Sequence, residues 1–306
     1  MFWSKILRFF SEDIAMDLGT ANTLLYTRDG GIIVNEPSVV AIDTRNNEVL
    51  AVGSEAKRAR GRTPKRIKTI RPMKSGVIAD FDTTSRMIVY FVNKAIGRSH
   101  LVKPSLVISV PTGITGVEKK AVIDAAATAG AGRVSLIEEP MAAAIGADLP
   151  VTEPVGTLIA DIGGGTSEVA VITMSAITVS QSIRIAGDAM NEILLRMLRD
   201  KYRLDVGENT AEHLKILLGS TQPVPDLPDY AEISGRDLVS GVPMTKKVTS
   251  EDVRLALKEP VEEIASAVMR VLEKTPPELA ADIYTSGFCL AGGSSLLRGL
   301  PELLSD

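Results

Sequence analysis

Two short stretches of this chain carry the residue types that hold phosphate and a hard metal ion. One reads Ile14-Ala-Met-Asp-Leu-Gly-Thr-Ala-Asn-Thr-Leu-Leu25, the other Leu158-Ile-Ala-Asp-Ile-Gly-Gly-Gly-Thr-Ser-Glu-Val-Ala-Val-Ile172. In each, an aliphatic run ends at an aspartate, a turn of small residues follows, and an apolar run resumes, which is the pattern of a β-hairpin. The turns Gly19-Thr20-Ala21-Asn22 and Gly163-Gly164-Gly165-Thr166 let several backbone N–H groups approach phosphate oxygens, because little side chain stands in the way. Asp17 and Asp161 suit a second task. Mg²⁺ prefers carboxylate, water and phosphate oxygens, so an aspartate at each strand end is placed to hold it directly or through its waters. A single Asp-x-Gly is more often just a tight turn. Two copies, the second with three consecutive glycines, reverse that preference and indicate a duplicated module, two of which facing each other make a cleft. No Walker loop and no Gly-x-Gly-x-x-Gly opening a helix occurs in the sequence, which disfavours the ATPase and dinucleotide folds built on them.

The elements that position these turns follow from composition and periodicity. At 306 residues the chain exceeds the usual single-domain size, so two lobes or two domains are expected. Hydrophobic residues make up 45% and aromatics only 4%; the core is therefore built from Val, Ile, Leu and Ala, as in sheets covered by helices, and the class is α/β. Apolar spacings of three and four predict helices over Asp82–Ile96 and Glu118–Ala129, and Ser105–Val110 reads as a buried strand. Gly97–Val102 is read as a loop between them, whose Leu101 and Val102 more simply begin a strand than touch a membrane. The one cysteine, Cys289, lies in the apolar run Phe288–Ala291, so it predicts neither a disulfide nor a metal site and reads as a buried small hydrophobe. His100 and His213 are far apart in sequence, leaving little material for a Ser-His-Asp triad or a zinc site. With net charge −4 and no dense Lys/Arg cluster, nucleic-acid binding is not expected.

Residues 1–10, MFWSKILRFF, are too short to span a bilayer and lack a signal-peptide pattern. On a helix, Phe2, Trp3, Ile6, Leu7, Phe9 and Phe10 share one arc, while Ser4, Lys5, Arg8 and Ser11 occupy the other. Half the Phe residues and the only Trp crowd into this terminus. Such a segment suits a helix lying in the headgroup region of an anionic leaflet, with a terminal helix docked on its own core as the alternative.

The two turns, with a third glycine pair in Leu290-Ala-Gly-Gly-Ser-Ser-Leu296, resemble the actin, Hsp70 and sugar-kinase superfamily. Within it, Asn35-Glu-Pro-Ser-Val-Val-Ala41, Ile70-Arg-Pro-Met-Lys-Ser-Gly-Val-Ile-Ala-Asp-Phe81, Leu136-Ile-Glu-Glu-Pro-Met-Ala-Ala-Ala-Ile-Gly146 and Thr275-Pro-Pro-Glu-Leu-Ala280 are similar to the MreB family of bacterial actins. The resemblance implies an actin-like fold: two RNase-H-like lobes, each with an inserted subdomain, and ATP with Mg²⁺ in the interlobe cleft. It implies that Glu139 orients or deprotonates the attacking water, with Thr166 helping to place it and Asp161 beside them; in-line attack on a γ-phosphate needs little more from protein than such positioning. Glu138 is read as structural; a solvated acid pair at a helix start is the alternative for Glu139, and the resemblance favours the catalytic role. The resemblance further places Gly187 and Asp188 near the nucleotide. Glu212 and Lys215, three apart on one helix face, fall against ribose and adenine, although an ordinary surface pair would look the same. Gly292, Gly293, Ser294 and Ser295 fall on the adenine side. Ser294 stands where a third glycine is typical, and the chain ends at Asp306 where the family continues; both bear on adenine geometry and on polymerisation.

The expected organisation is a membrane helix over 1–11, a first lobe over 12–150 with an insertion at about 43–72, and a second lobe over 151–306 with an insertion at about 188–247. The function implied by the resemblance is a weak ATPase, cytoplasmic and peripheral on the inner face of the cell membrane. It would self-associate into filaments, meet cell-wall elongation membrane proteins and maintain rod shape. An Hsp70-like chaperone ATPase or a small-molecule kinase using the same cleft is the alternative; a chaperone would be expected to carry an appended peptide-binding domain, for which no residues remain after 306, and a kinase a polar sugar pocket between the lobes, for which no motif is found.

Overall fold

A computed structural model describes residues 13–96 and 103–305. The chain divides into two compact units, the first ending at Gly146 and the second beginning at Ala147.

The first unit contains β1 (Asp13–Leu18), β2 (Asn22–Thr27), β3 (Gly31–Pro37), β4 (Val40–Asp43), β5 (Glu48–Val52), α1 (Ser54–Ala59), β6 (Ile67–Ile70), β7 (Met73–Lys74), β8 (Val77–Ile78), α2 (Phe81–Ile96), β9 (Ser105–Val110), α3 (Gly116–Thr128), β10 (Arg133–Glu138) and α4 (Glu139–Gly146). Its main sheet has the order β10-β9-β1-β2-β3. β1 to β3 form an antiparallel meander, and β9 lies parallel to β1 with β10 parallel to β9. Alternation along β1 turns Ile14, Met16 and Leu18 inward. There they pack with Leu106 and Ile108 of β9, with Met87, Ile88 and Phe91 of α2, and with Val122, Ala125 and Ala126 of α3. A capping box closes the α3 N-terminus, Thr115 accepting from the Glu118 N–H while Glu118 accepts from that of Thr115, which satisfies two otherwise orphaned donors. A smaller sheet, β5-β4-β6, carries α1 on a separate cluster of Val39, Ala41 and Ala56.

The second unit repeats the plan. It contains β11 (Thr157–Ile162), β12 (Ser167–Thr173), β13 (Ala176–Ile183), α5 (Gly187–Asp200), β14 (Leu204–Asp205), α6 (Glu208–Leu218), β15 (Tyr230–Asp237), β16 (Pro243–Thr249), α7 (Ser250–Glu273), α8 (Pro277–Ser286), β17 (Phe288–Ala291) and α9 (Leu300–Ser305). The main sheet runs β13-β12-β11-β17, again an antiparallel meander with a further strand parallel to its first. β11 and β12 are buried along almost their whole length, so both faces are covered, which is why their sequence reads as continuous apolar runs. The helices α5, α6 and α7 share one core with β14, β15 and β16; Val268 and Val271 of α7 with Ile283 of α8 cover Leu158, Ala160, Val169 and Val171.

The two hairpins match residue for residue. Asp17 sits opposite Leu24 and Asp161 opposite Glu168, at the same spacing. In the parallel pairings Asp17 lies beside Ser109 and Asp161 beside Ala291. One expectation is corrected: Cys289 is half-buried, because among the described residues β17 pairs on one side only, with β11. The predicted strand Ser105–Val110 and both predicted helices are present, each helix within two residues of its expected start.

Candidate functional site

Each unit presents one turn. In the first, β1 delivers Asp17 to the strand end, on the exposed side of the strand, where it accepts a hydrogen bond from Ser109 Oγ at 2.8 Å. Desolvation pushes the Asp17 carboxyl above the ordinary aspartate range, and the Ser109 hydroxyl only partly opposes this. A partly desolvated carboxylate is stabilised in its charged form by a nearby cation. Gly19 follows at a position that admits no side chain, since a Cβ there would lie 2.6 Å from the Asn22 carbonyl oxygen. The turn is braced from residues the sequence reading left without a role. Ser38 Oγ donates to the Gly19 carbonyl at 2.6 Å and Ser38 N–H to the Ala21 carbonyl at 2.9 Å. Arg71 Nη2 donates to the Thr20 carbonyl at 3.3 Å, and the Gly76 N–H to Thr20 Oγ1 at 2.9 Å. All three lie in the segments Asn35–Ala41 and Ile70–Phe81 quoted for the family resemblance, and that placement was the available signal. Glu139 opens α4 directly after β10, with Pro140 buried in the first turn.

In the second unit most of the expected residues converge. Gly163 N–H closes the hairpin turn on the Thr166 carbonyl at 2.9 Å, and Thr166 is buried. The first two residues of α5 meet this turn from behind: Gly187 N–H donates to the Gly163 carbonyl at 3.2 Å and Asp188 N–H to the Gly164 carbonyl at 2.7 Å. Lys215 of α6 donates to the Gly187 carbonyl at 2.8 Å. From the segment after β17, Ser294 Oγ donates to the Gly163 carbonyl at 2.7 Å, and Ser295 Oγ to the Gly292 carbonyl of its own turn at 2.6 Å. Gly292 has φ 82°, and a Cβ there would lie 2.4 Å from Asp161 Oδ1. Ser294, at the third-glycine position, therefore bonds the turn after β17 to the Gly163–Thr166 turn.

Beside this constellation is a cavity of about 340 Å³ whose lining includes Met190, Lys215, Gly293, Ser294, Leu296 and Arg298. Glu212, one turn earlier on α6, is half-buried and is not part of that lining. Arg298 supports the wall: its Nη1 donates to the Ile216 carbonyl at 2.9 Å and reaches those of Leu217 and Gly219, the orphan acceptors at the C-terminal end of α6. Apolar side chains with a few convergent polar groups suit a flat heteroaromatic base.

A family model described as MreB/Mbl protein matches residues 11–306. The chain belongs to the MreB/Mbl family. The cell shape-determining protein Mbl of Bacillus subtilis is 47% identical over 297 residues, covering 97% of this chain and 89% of that one. The cell shape-determining protein MreB of Escherichia coli K12 is 47% identical over 307 residues, covering 99% and 88%. Among solved structures, MreB5 of Spiroplasma citri bound to ADP superposes with TM-score 0.90 at 34% identity, covering 96% of this chain and 88% of that one. The same protein bound to AMPPNP does so at 35% identity with equal coverage. A MamK double helical filament, 21% identical with TM-score 0.80, shares the fold alone. The actin-like α/β fold of this MreB/Mbl-family chain is thus established.

The aromatic face of Phe2, Trp3, Ile6, Leu7, Phe9 and Phe10 lies outside the described residues, as do His100, Leu101 and Val102. Among the described residues no helix is long and apolar enough to cross a membrane. No group of three or more His, Cys, Asp or Glu side chains that could hold a metal ion occurs there either. Asp17 and Asp161 each offer the single carboxylate that suits Mg²⁺ arriving with phosphate oxygens and water, the arrangement this ion prefers over an all-protein cage.

Proposed function

We propose that this chain binds ATP with Mg²⁺, hydrolyses it slowly and assembles into filaments. The observation that carries the reading is the duplicated Asp-x-Gly hairpin in identical register, each turn having its carbonyls held by donors from other segments. MreB5 of Spiroplasma citri, solved bound to ADP and to AMPPNP, supports the ligand class. Each turn would meet phosphate oxygens, and the second unit's cavity would take the base. Mg²⁺, when bound, supplies charge neutralisation at the phosphates. The chain's own groups do the rest: Glu139 aligns the attacking water and Thr166 helps to hold it. Loss of the γ-phosphate removes contacts to the turns, and a ligand shifts conformation only through such differential contacts. A head-to-tail contact that does not close on itself gives a filament.

The names of the Bacillus and Escherichia relatives support a role in cell shape. We assign the filaments to the inner face of the membrane, anchored by residues 1–10, where they organise cell-wall synthesis with membrane partners. Light scattering and electron microscopy with Mg-ATP, with and without anionic liposomes, test this. Filaments that need nucleotide are expected; phosphorylation of a small molecule without assembly would refute it.

A further inference from the structure

A trans peptide points its C=O and the following N–H in opposite directions, so whatever holds a carbonyl also aims the next amide. In the second unit the Gly163 carbonyl is held by Ser294 Oγ and Gly187 N–H, and the Gly164 carbonyl by Asp188 N–H. The N–H groups of Gly164 and Gly165 are thereby directed to the opposite side of the turn. In the first unit the Gly19, Thr20 and Ala21 carbonyls are held by Ser38 Oγ, Arg71 Nη2 and Ser38 N–H, which aims the amides of Thr20, Ala21 and Asn22 in the same way. Gly19 and Gly163 are the same position of the duplicated hairpin, and each accepts a serine hydroxyl, at 2.6 and 2.7 Å. The two serines have no common origin in the repeat. Ser38 follows β3 of its own meander, whereas Ser294 comes from the 3₁₀ turn after β17.

We infer that Ser294 is a positioning residue for the phosphates, acting through the Gly163 peptide, and that its hydroxyl does not serve to read the base. The inference rests on the nucleotide reading above and deepens it. One consequence is that the base-side turn and the phosphate turn move as a unit, so a base seated beside Ser294 orders the amides that meet the phosphates. A second is that Ser38 performs the corresponding task for the other turn.

The test is competition of ATP, ADP and adenosine against a fluorescent ATP analogue on the full chain, for wild type, Ser294→Ala and Ser294→Thr. A neutral hydrogen bond contributes enough to change affinity about fivefold. ATP and ADP should weaken by about that factor in Ser294→Ala, with adenosine unchanged, and Ser294→Thr, which keeps the hydroxyl, should recover most of the loss. Ser38→Ala should reproduce the selective loss. Equal weakening of adenosine and ATP would assign Ser294 to the base and overturn the inference, as would unchanged ATP affinity in Ser294→Ala; either leaves the nucleotide reading intact. A folded wild type with no affinity for ATP would overturn both. Thermal melting of the variants shows whether a loss is one of folding: a Ser294→Ala protein melting far below wild type with all three ligands weakened assigns the bond to the fold and counts against the inference.

Discussion

Substituting Gly292 by alanine separates two adjacent glycines that look interchangeable in sequence. Gly292 has φ 82° and ψ 157°, a region open essentially to glycine, and occupying it with a side chain costs about 1–3 kcal/mol. The added Cβ would also lie 2.4 Å from both Asp161 Oδ1 and the Ile162 carbonyl oxygen. The second of these is backbone of the central strand β11 and cannot swing aside, so forced repacking adds about 1–3 kcal/mol. The combined loss centres on about 4 kcal/mol, which for a unit of this size lowers its melting temperature by roughly 10 °C. Gly293 is the control. A Cβ there meets nothing within 4 Å and the residue is not at positive φ, so Gly293→Ala should stay within about 0.5 kcal/mol of wild type. Thermal unfolding followed by far-ultraviolet circular dichroism reads both. Equal melting of Gly292→Ala and wild type, or equal losses for the two variants, would refute the packing argument. Because the displaced group is the Asp161 carboxylate, Gly292→Ala should also weaken Mg-ATP binding more than Gly293→Ala does.

Three further outcomes follow from particular contacts. Burial works to raise the Glu36 carboxyl, but the Lys94 ammonium and the Ser54 N–H outweigh it and hold it at about 2. A depressed carboxylate contributes stability above the unfolded value near 4.5 and loses it as pH falls toward 2, so Glu36→Gln should be less stable by about 1–3 kcal/mol at pH 7 and converge with wild type in acid denaturation. A constant difference down to pH 2 would contradict this. Glu139→Gln should lower ATP turnover by about a hundredfold or more while ATP affinity by calorimetry stays near wild type; parallel loss of binding would remove Glu139 from the water-positioning role. Deleting residues 1–10 should abolish co-sedimentation with anionic liposomes while leaving nucleotide binding unchanged, and undiminished sedimentation would end the membrane assignment.

The local pattern of the chain determined a good deal. Strand–turn–strand at Asp17 and Asp161, the buried strand Ser105–Val110 and the helices of the first unit are legible because apolar periodicity and small-residue turns act over a few neighbours. Local pattern also located both small-residue turns, where little side chain keeps the backbone accessible. Cys289 was misjudged because burial of a strand depends on what pairs with its outer edge, which its own residues do not state. Tertiary structure alone decided which groups brace the turns. Ser38, Arg71 and Gly76 reach the first turn, and Ser294 and Gly292 reach the second, through strand pairing and close packing between segments far apart in sequence. No periodicity links such partners, because a hydrogen bond from Ser294 to the Gly163 carbonyl exists only once β17 has paired beside β11 and carried the turn that follows it to that spot.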